Sequence, residues 1–187
     1  MTETDMTGEV YGELTNIGAS HAATAMSELL HTTVRLDPPV AKRLTLSDVE
    51  ADLEMDEKEV ILVLIALVGD LQGHVCLMIS DMDAYADLLG VGVADLDETM
   101  AEIGNIVSAR FISALSQSTG LHGDITPPAV GHAPKSAVLS SVIALAAGEE
   151  PFFVMSSAMR LEGVEPASVL FLPSAETRDA ILDIFGM

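Results

Sequence analysis

Basic residues are scarce in this chain: 8 Lys and Arg stand against 29 Asp and Glu, a formal charge of −21. Lys occurs only at positions 42, 58 and 135. Binding to a phosphate backbone needs clustered Lys and Arg, so nucleic acid is excluded as a partner, and docking on anionic lipid is disfavoured. Cysteine is reduced to Cys76, which excludes an internal disulfide and a Cys-rich zinc site. Cys76 lies in an apolar, strand-like stretch, so a buried and inert thiol is expected. The longest apolar run, Val60 to Val68, falls far short of the roughly 18 residues a membrane span needs. The first residues, Met1-Thr2-Glu3-Thr4-Asp5, are acidic and lead into no apolar run, so a signal peptide is not expected and the cytoplasm is. The five His residues show no His-x-x-x-His spacing, so no metal site is expected, and His21 is expected as a core or boundary residue of the first helix. A Gly-x-x-x-x-Gly-Lys loop and a Gly-x-Ser-x-Gly elbow are both missing, which removes the phosphate-loop and serine-hydrolase readings.

What is present is an apolar interior. Of 187 residues 49% are hydrophobic, too many for a disordered acidic chain and enough to fill one domain. An acidic shell over an ordinary core points to a salt-rich, halophilic setting, because at molar salt the Debye length falls to about 3 Å and self-repulsion fades.

Periodicity places a helix over about Glu9 to Leu30, an extended segment ending at Pro38-Pro39, and strands at Thr45 to Leu53, Glu59 to Val68 and Gln72 to Ile79. A short helix, Asp81 to Leu89, is stopped by Gly90 and Gly92. The order then recurs. A helix is predicted from about Asp95 to Thr119, stopped by Gly120, and a strand edge at Asp124 to Thr126 leads into Pro127-Pro128. Strands follow at Ala137 to Ala147, Phe152 to Leu161 and Ser168 to Leu172, and a last helix, Ala175 to Phe185, starts from a Ser174 cap.

The recurrence is numerical. Glu13 and Glu102 lie 102 − 13 = 89 apart, as do Asn16 and Asn105, Pro39 and Pro128, Ile17 and Ile106, and Ala25 and Ala114. Asn16 and Asn105 are the only asparagines in the chain. With average residue usage a second Glu-x-x-Asn with its Pro at that distance arises by chance about one time in fifty, so the chain reads as an internal repeat of about 1–92 and 93–187. Residues three apart on a helix share a side, so Glu13 with Asn16, and Glu102 with Asn105, each make a small polar patch. The apolar stripe runs elsewhere, through Leu14 and Ile17, so the patch is expected to face outward. Ser20, Ala23 and Ser27 continue the first stripe, and Ala109, Ile112 and Ser116 the second, as thin surface that a macromolecule can approach. A lone helical Glu or Asn is usually only solvated or capping; the joint recurrence is what favours a site.

The segments Glu13-Leu14-Thr15-Asn16-Ile17-Gly18-Ala19 and Glu102-Ile103-Gly104-Asn105-Ile106, each with Pro 23 residues after its Asn, resemble the paired signatures of the CheC family of chemotaxis phosphatases. Two copies point to CheC rather than to the one-signature CheX proteins, and there is no room for the switch domain of FliY. The family often has Asp or Ser four residues before the Glu; Glu9 and Glu98 stand there instead. The resemblance implies a single α/β domain of two pseudo-symmetric halves, with a mainly antiparallel sheet and two long helices on one face. It implies hydrolysis of the phospho-aspartate of a CheY-like response regulator, with Glu13, Asn16, Glu102 and Asn105 as catalytic residues. Asn16 and Asn105 would position the attacking water, and Glu13 and Glu102 would hold the regulator. No cofactor of its own is implied; Mg²⁺ is expected on the regulator. The resemblance also allows a non-catalytic adaptor that binds the receptor deamidase CheD, or a flagellar-motor component.

Overall fold

The structure, a computed structural model, describes residues 3–44, 57–146 and 152–186. The strand expected over Thr45 to Leu53 lies outside the described residues. The rest is a mixed helix and antiparallel sheet fold in one domain. The strands are β1 (Arg35–Leu36), β2 (Val40–Leu44), β3 (Glu59–Gly69), β4 (Gly73–Ile79), β5 (Gly123–Ile125), β6 (Ala129–Pro134), β7 (Phe152–Arg160) and β8 (Ala167–Pro173). The helices are α1 (Glu3–Leu30), α2 (Met82–Leu89), α3 (Leu96–Thr119), α4 (Lys135–Ala146) and α5 (Ala175–Ile184).

Local chemistry sets most of these limits. The Asp81 carboxylate caps α2 by accepting from Ala84 N–H at 3.2 Å, and Ser174 caps α5 by accepting from Thr177 N–H at 3.2 Å. Gly120, at φ 77°, ends α3 with its N–H on Ser116 O at 2.9 Å.

The sheet runs β1-β7-β8-β4-β3-β5, with β2 also on β7 and β6 also on β3, and every pair is antiparallel. The pairing at its two ends follows one rule. The strands after α1 pair with β7, near the end of the chain, and the strands after α3 pair with β3, near its start. Asp37 N–H donates to Ala158 O at 2.9 Å, and Thr126 N–H donates to Ala66 O at 2.9 Å. The α1 and α3 segments are thus interlocked with each other's strands.

Alternation on the strands gives two apolar faces. Ile61, Val63, Ile65, Val75, Leu77, Val169 and Phe171 face α1 and α3 and form the main core with Tyr11, Met26, Met100 and Phe111. Val60, Cys76, Met78, Leu170 and Leu172 face the other way and pack with Val138 of α4. Two long helices on one face were expected and are found.

The segment from Ala137 to Ala147 is a correction. It was expected as a strand from its apolar character, but α4 covers Lys135–Ala146. Ser140 and Ser141 turn their hydroxyls back onto Ser136 O and Ala137 O, both at 2.8 Å, which is the i−4 bonding of a helix. Only part of α4 meets the second apolar face. Val138 is buried there, while Leu145 remains 51% exposed.

Candidate functional site

The rotation of α1 is fixed by what it buries. Tyr11 is fully buried, donates its hydroxyl to Arg178 O at 3.2 Å and packs on Phe153 with ring centroids 5.0 Å apart. Burial pushes its phenol up to about 12, so it stays neutral. Leu14 is buried one turn on. With these two directed inward, the helical period turns Glu13 and Asn16 outward, and both are exposed.

In α3 the same places are taken by Met100 and Ile103, both buried, and Glu102 and Asn105 are likewise exposed. The structure therefore brings Glu13 together with Asn16, and Glu102 together with Asn105, on the solvent side of two helices whose other sides are anchored.

Glycine lets those helices sit so close to the core. A Cβ on Gly18 would stand 2.7 Å from the Phe111 ring, and one on Gly104 would stand 2.5 Å from Val63 Cγ1. Gly18 therefore admits α3 against α1, and Gly104 admits β3 against α3, each within two residues of the exposed Asn. The small residues expected to offer thin outward surface serve the same inward packing. Ala23 and Ile112 are buried, and Ser27 spends its hydroxyl on Ala23 O at 2.7 Å while accepting from Val34 N–H at 3.0 Å. Only Ser20 and Ala109 stay exposed, so each polar patch is about two turns long. His21, expected at the core or its boundary, is exposed.

At the first pair an open groove of about 730 Å³ is lined by Glu9, Gly12, Glu13, Asn16, Leu36, Asp37, Pro38 and Pro39. Its far wall is the extended segment after α1, where two prolines give stiffness without N–H groups that need partners. Pro38 and Pro39 form that wall. Asp37 was not anticipated. Its backbone is tied at both ends, N–H to Ala158 O at 2.9 Å and C=O from Ser157 Oγ at 3.0 Å. Its carboxylate takes a fork from Arg160, Nε at 2.7 and 2.9 Å and Nη2 at 2.6 Å. The Arg160 hydrogen bonds hold the Asp37 carboxyl below its ordinary value, so it remains ionised. The Asp beside Pro38-Pro39 was visible in the sequence, but nothing there pointed to Arg160.

At the second pair, Thr126 occupies the place of Asp37. Its Oγ1 accepts from Ala66 N–H at 3.2 Å. The start of α3 is tied to β6 by His132 Nε2 and Asp97 Oδ1 at 2.6 Å. Among the described residues no group of three or more His, Cys, Asp or Glu is arranged to hold a metal ion. No described helix is long and apolar enough to cross a membrane.

Such patches offer a carboxylate that accepts and a carboxamide that both donates and accepts. They suit the orientation of a water or of another protein's groups rather than covalent catalysis.

Comparison with known proteins points to the same segments. The model of the CheC-like family matches residues 12–43 and 99–132, each segment holding one Glu–Asn pair and the prolines after it. The CheY-P phosphatase CheC of Bacillus subtilis (strain 168) is 27% identical over 125 residues, which is 60% of this chain and 60% of that protein. Among solved structures, Thermotoga maritima FliY superposes with a TM-score of 0.75 at 20% identity, covering 100% of this chain and 98% of that one. CheX in the CheX-CheY-BeF3-Mg complex from Borrelia burgdorferi gives 0.55 at 15% identity, covering 88% and 97%. These structures share the fold, and both Glu–Asn segments are similar to the CheC-like family.

Proposed function

We propose that this protein hydrolyses the phospho-aspartate of a CheY-like response regulator in the cytoplasm. The observation that carries the reading is the exposure of both Glu–Asn pairs on helices rigidly held from behind. The Bacillus subtilis relative is a CheY-P phosphatase, and a CheX of the same fold is found in a complex with CheY.

In the proposed reaction a water oxygen attacks phosphorus in line with the bond to the aspartyl oxygen. That bond breaks, leaving the regulator's carboxylate and inorganic phosphate, which takes up the water's proton. Mg²⁺ carried by the regulator offsets the charge on the phosphoryl oxygens. The phosphatase then has only to place the water and hold the partner, and positioning is the dominant contribution in such transfers. Asn16 and Asn105 are assigned to the water, because a neutral carboxamide orients it without adding negative charge beside the phosphate. Glu13 and Glu102 are assigned to holding the regulator through a cation in its active site.

A second reading, a docking component of the flagellar motor or an adaptor for CheD, is favoured by the overlap with FliY. Release of phosphate from a phosphorylated regulator separates the two. Accelerated release that depends on Asn16 and Asn105 supports the enzyme; binding to CheD or to motor proteins without acceleration supports the second reading.

A further inference from the structure

The two Glu–Asn pairs sit on matching helices but differ in the charges around them. Beside the first, the groove presents Glu9, Glu13 and Asp37, and Arg160 is forked onto Asp37. Arg35 lies directly across the strand pair from Arg160. At the second pair, Thr126 stands at the position of Asp37, since 126 − 37 = 89. The place across from Asp124 is taken by Val68. An acid and two arginines are thus replaced by a threonine, an acid and a valine. Four of the eight basic residues, Arg35, Lys42, Arg43 and Arg160, lie on β1, β2 and β7, at the end of the sheet that bears the first groove. In a chain of charge −21 this is a local concentration of basic residues.

The rim is already held by the Asp37 backbone bonds, so the Asp37–Arg160 fork, with side chains 35% and 58% exposed, is not what fixes its course. The fork does place a guanidinium beside three carboxylates, where the proposed partner brings an anionic phosphoryl group. Rim charges of this kind act on encounter rate and on salt dependence more than on the chemical step.

We infer that Arg160, held by Asp37, is a positioning residue that gives the first groove its grip on the phosphorylated regulator, and that the second site binds without such help. This rests on the proposed phosphatase reading. Arg160 neutralises the groove's third carboxylate and adds attraction at the rim. The second site has no guanidinium at either place, since Thr126 and Val68 bring no charge and Asp124 brings a carboxylate.

The test uses the full chain in two single-site backgrounds, E102A/N105A keeping the first site and E13A/N16A keeping the second. The probe is a CheY-like receiver domain carrying beryllofluoride and Mg²⁺ for binding, and the same domain phosphorylated for turnover. In the first background R160Q should raise Kd and KM by roughly threefold or more at the lowest salt that keeps the protein folded. Its kcat should stay within about twofold, and the difference should vanish at molar salt, where screening is complete within about 3 Å. R160K, which keeps the charge but not the fork, should recover most of the binding. In the second background R160Q should change neither quantity. An equal loss in both backgrounds, no loss in the first, a loss that salt does not remove, or failure of R160K to rescue would overturn the inference. Binding is read without turnover, so a chain that binds the charged receiver and never accelerates phosphate release defeats the phosphatase reading while still deciding the role of Arg160.

Discussion

Gly104 to Ala is a single added methyl whose effect follows from one contact. The new Cβ would stand 2.5 Å from Val63 Cγ1 and 3.1 Å from Val63 Cβ. Val63 is 1% exposed and β-branched, with little rotamer freedom, so the helix rather than the valine must give way. Overpacking of this kind costs about 1–3 kcal/mol, and the helix propensity gained from Gly to Ala returns only ~1 kcal/mol. Gly8 is the internal control. It is also helical, yet nothing lies within 4 Å of its Cβ position, so G8A should stabilise by roughly 0.5–1 kcal/mol. The same chemical change at two helical glycines should therefore have opposite or clearly unequal effects, about 2 kcal/mol apart, or ~4–8 °C in Tm for a chain of this size. Urea unfolding at fixed salt measures it, and Val63→Ala supplies the cycle. G104A should cost at least ~1 kcal/mol less in the V63A background than alone. If G104A stabilises as much as G8A, or if the V63A and G104A costs simply add, the close approach of α3 to β3 is wrong, and with it the placement of Asn105.

Three further outcomes can be checked on the purified protein. Burial pushes the Cys76 thiol up to about 12, so a thiol reagent at neutral pH should react only at the rate of global unfolding; fast labelling of the folded protein would refute this. Burial lowers the His74 pKa, so the folded state resists a proton that the unfolded chain accepts. Stability from this group is complete above about pH 6.5 and is lost as pH falls from there towards the lower folded value. His74→Gln should flatten the fall in thermal midpoint over that window, and an unchanged profile would remove His74 as its cause. With a charge of −21, raising salt should raise the urea midpoint by screening self-repulsion, and a midpoint indifferent to salt would count against a halophilic setting.

Much of the architecture was legible because it is local. Helix ends followed from Asp81, Ser174 and Gly120, and the strands at β3, β4, β7 and β8 from apolar runs between turn residues. The α4 segment failed because Val138, Val142 and Ile143 in a largely apolar run look like a buried strand, while its alanines and leucines serve a helix equally well. The outward direction of Glu13, Asn16, Glu102 and Asn105 was readable from period and from the apolar stripe. What the small residues do was not. The sequence offers Ser20, Ala23 and Ser27 as thin surface, but whether such a surface meets solvent or a neighbouring element depends on tertiary contacts, such as those of Gly18 with Phe111 and of Gly104 with Val63. The Asp37–Arg160 fork joins residues 123 apart, across a strand pairing that no local pattern encodes, so it emerges only from the fold.

The central claim is tested most directly by the rate at which a phosphorylated CheY-like regulator loses phosphate in the presence of this protein and of its N16A/N105A variant. Both should show the same far-ultraviolet spectrum and unfolding midpoint, since all four site side chains are exposed. The native chain should accelerate phosphate loss over the regulator's own rate, and the variant, though folded, should return it to that rate. A folded variant as active as the native chain would contradict it.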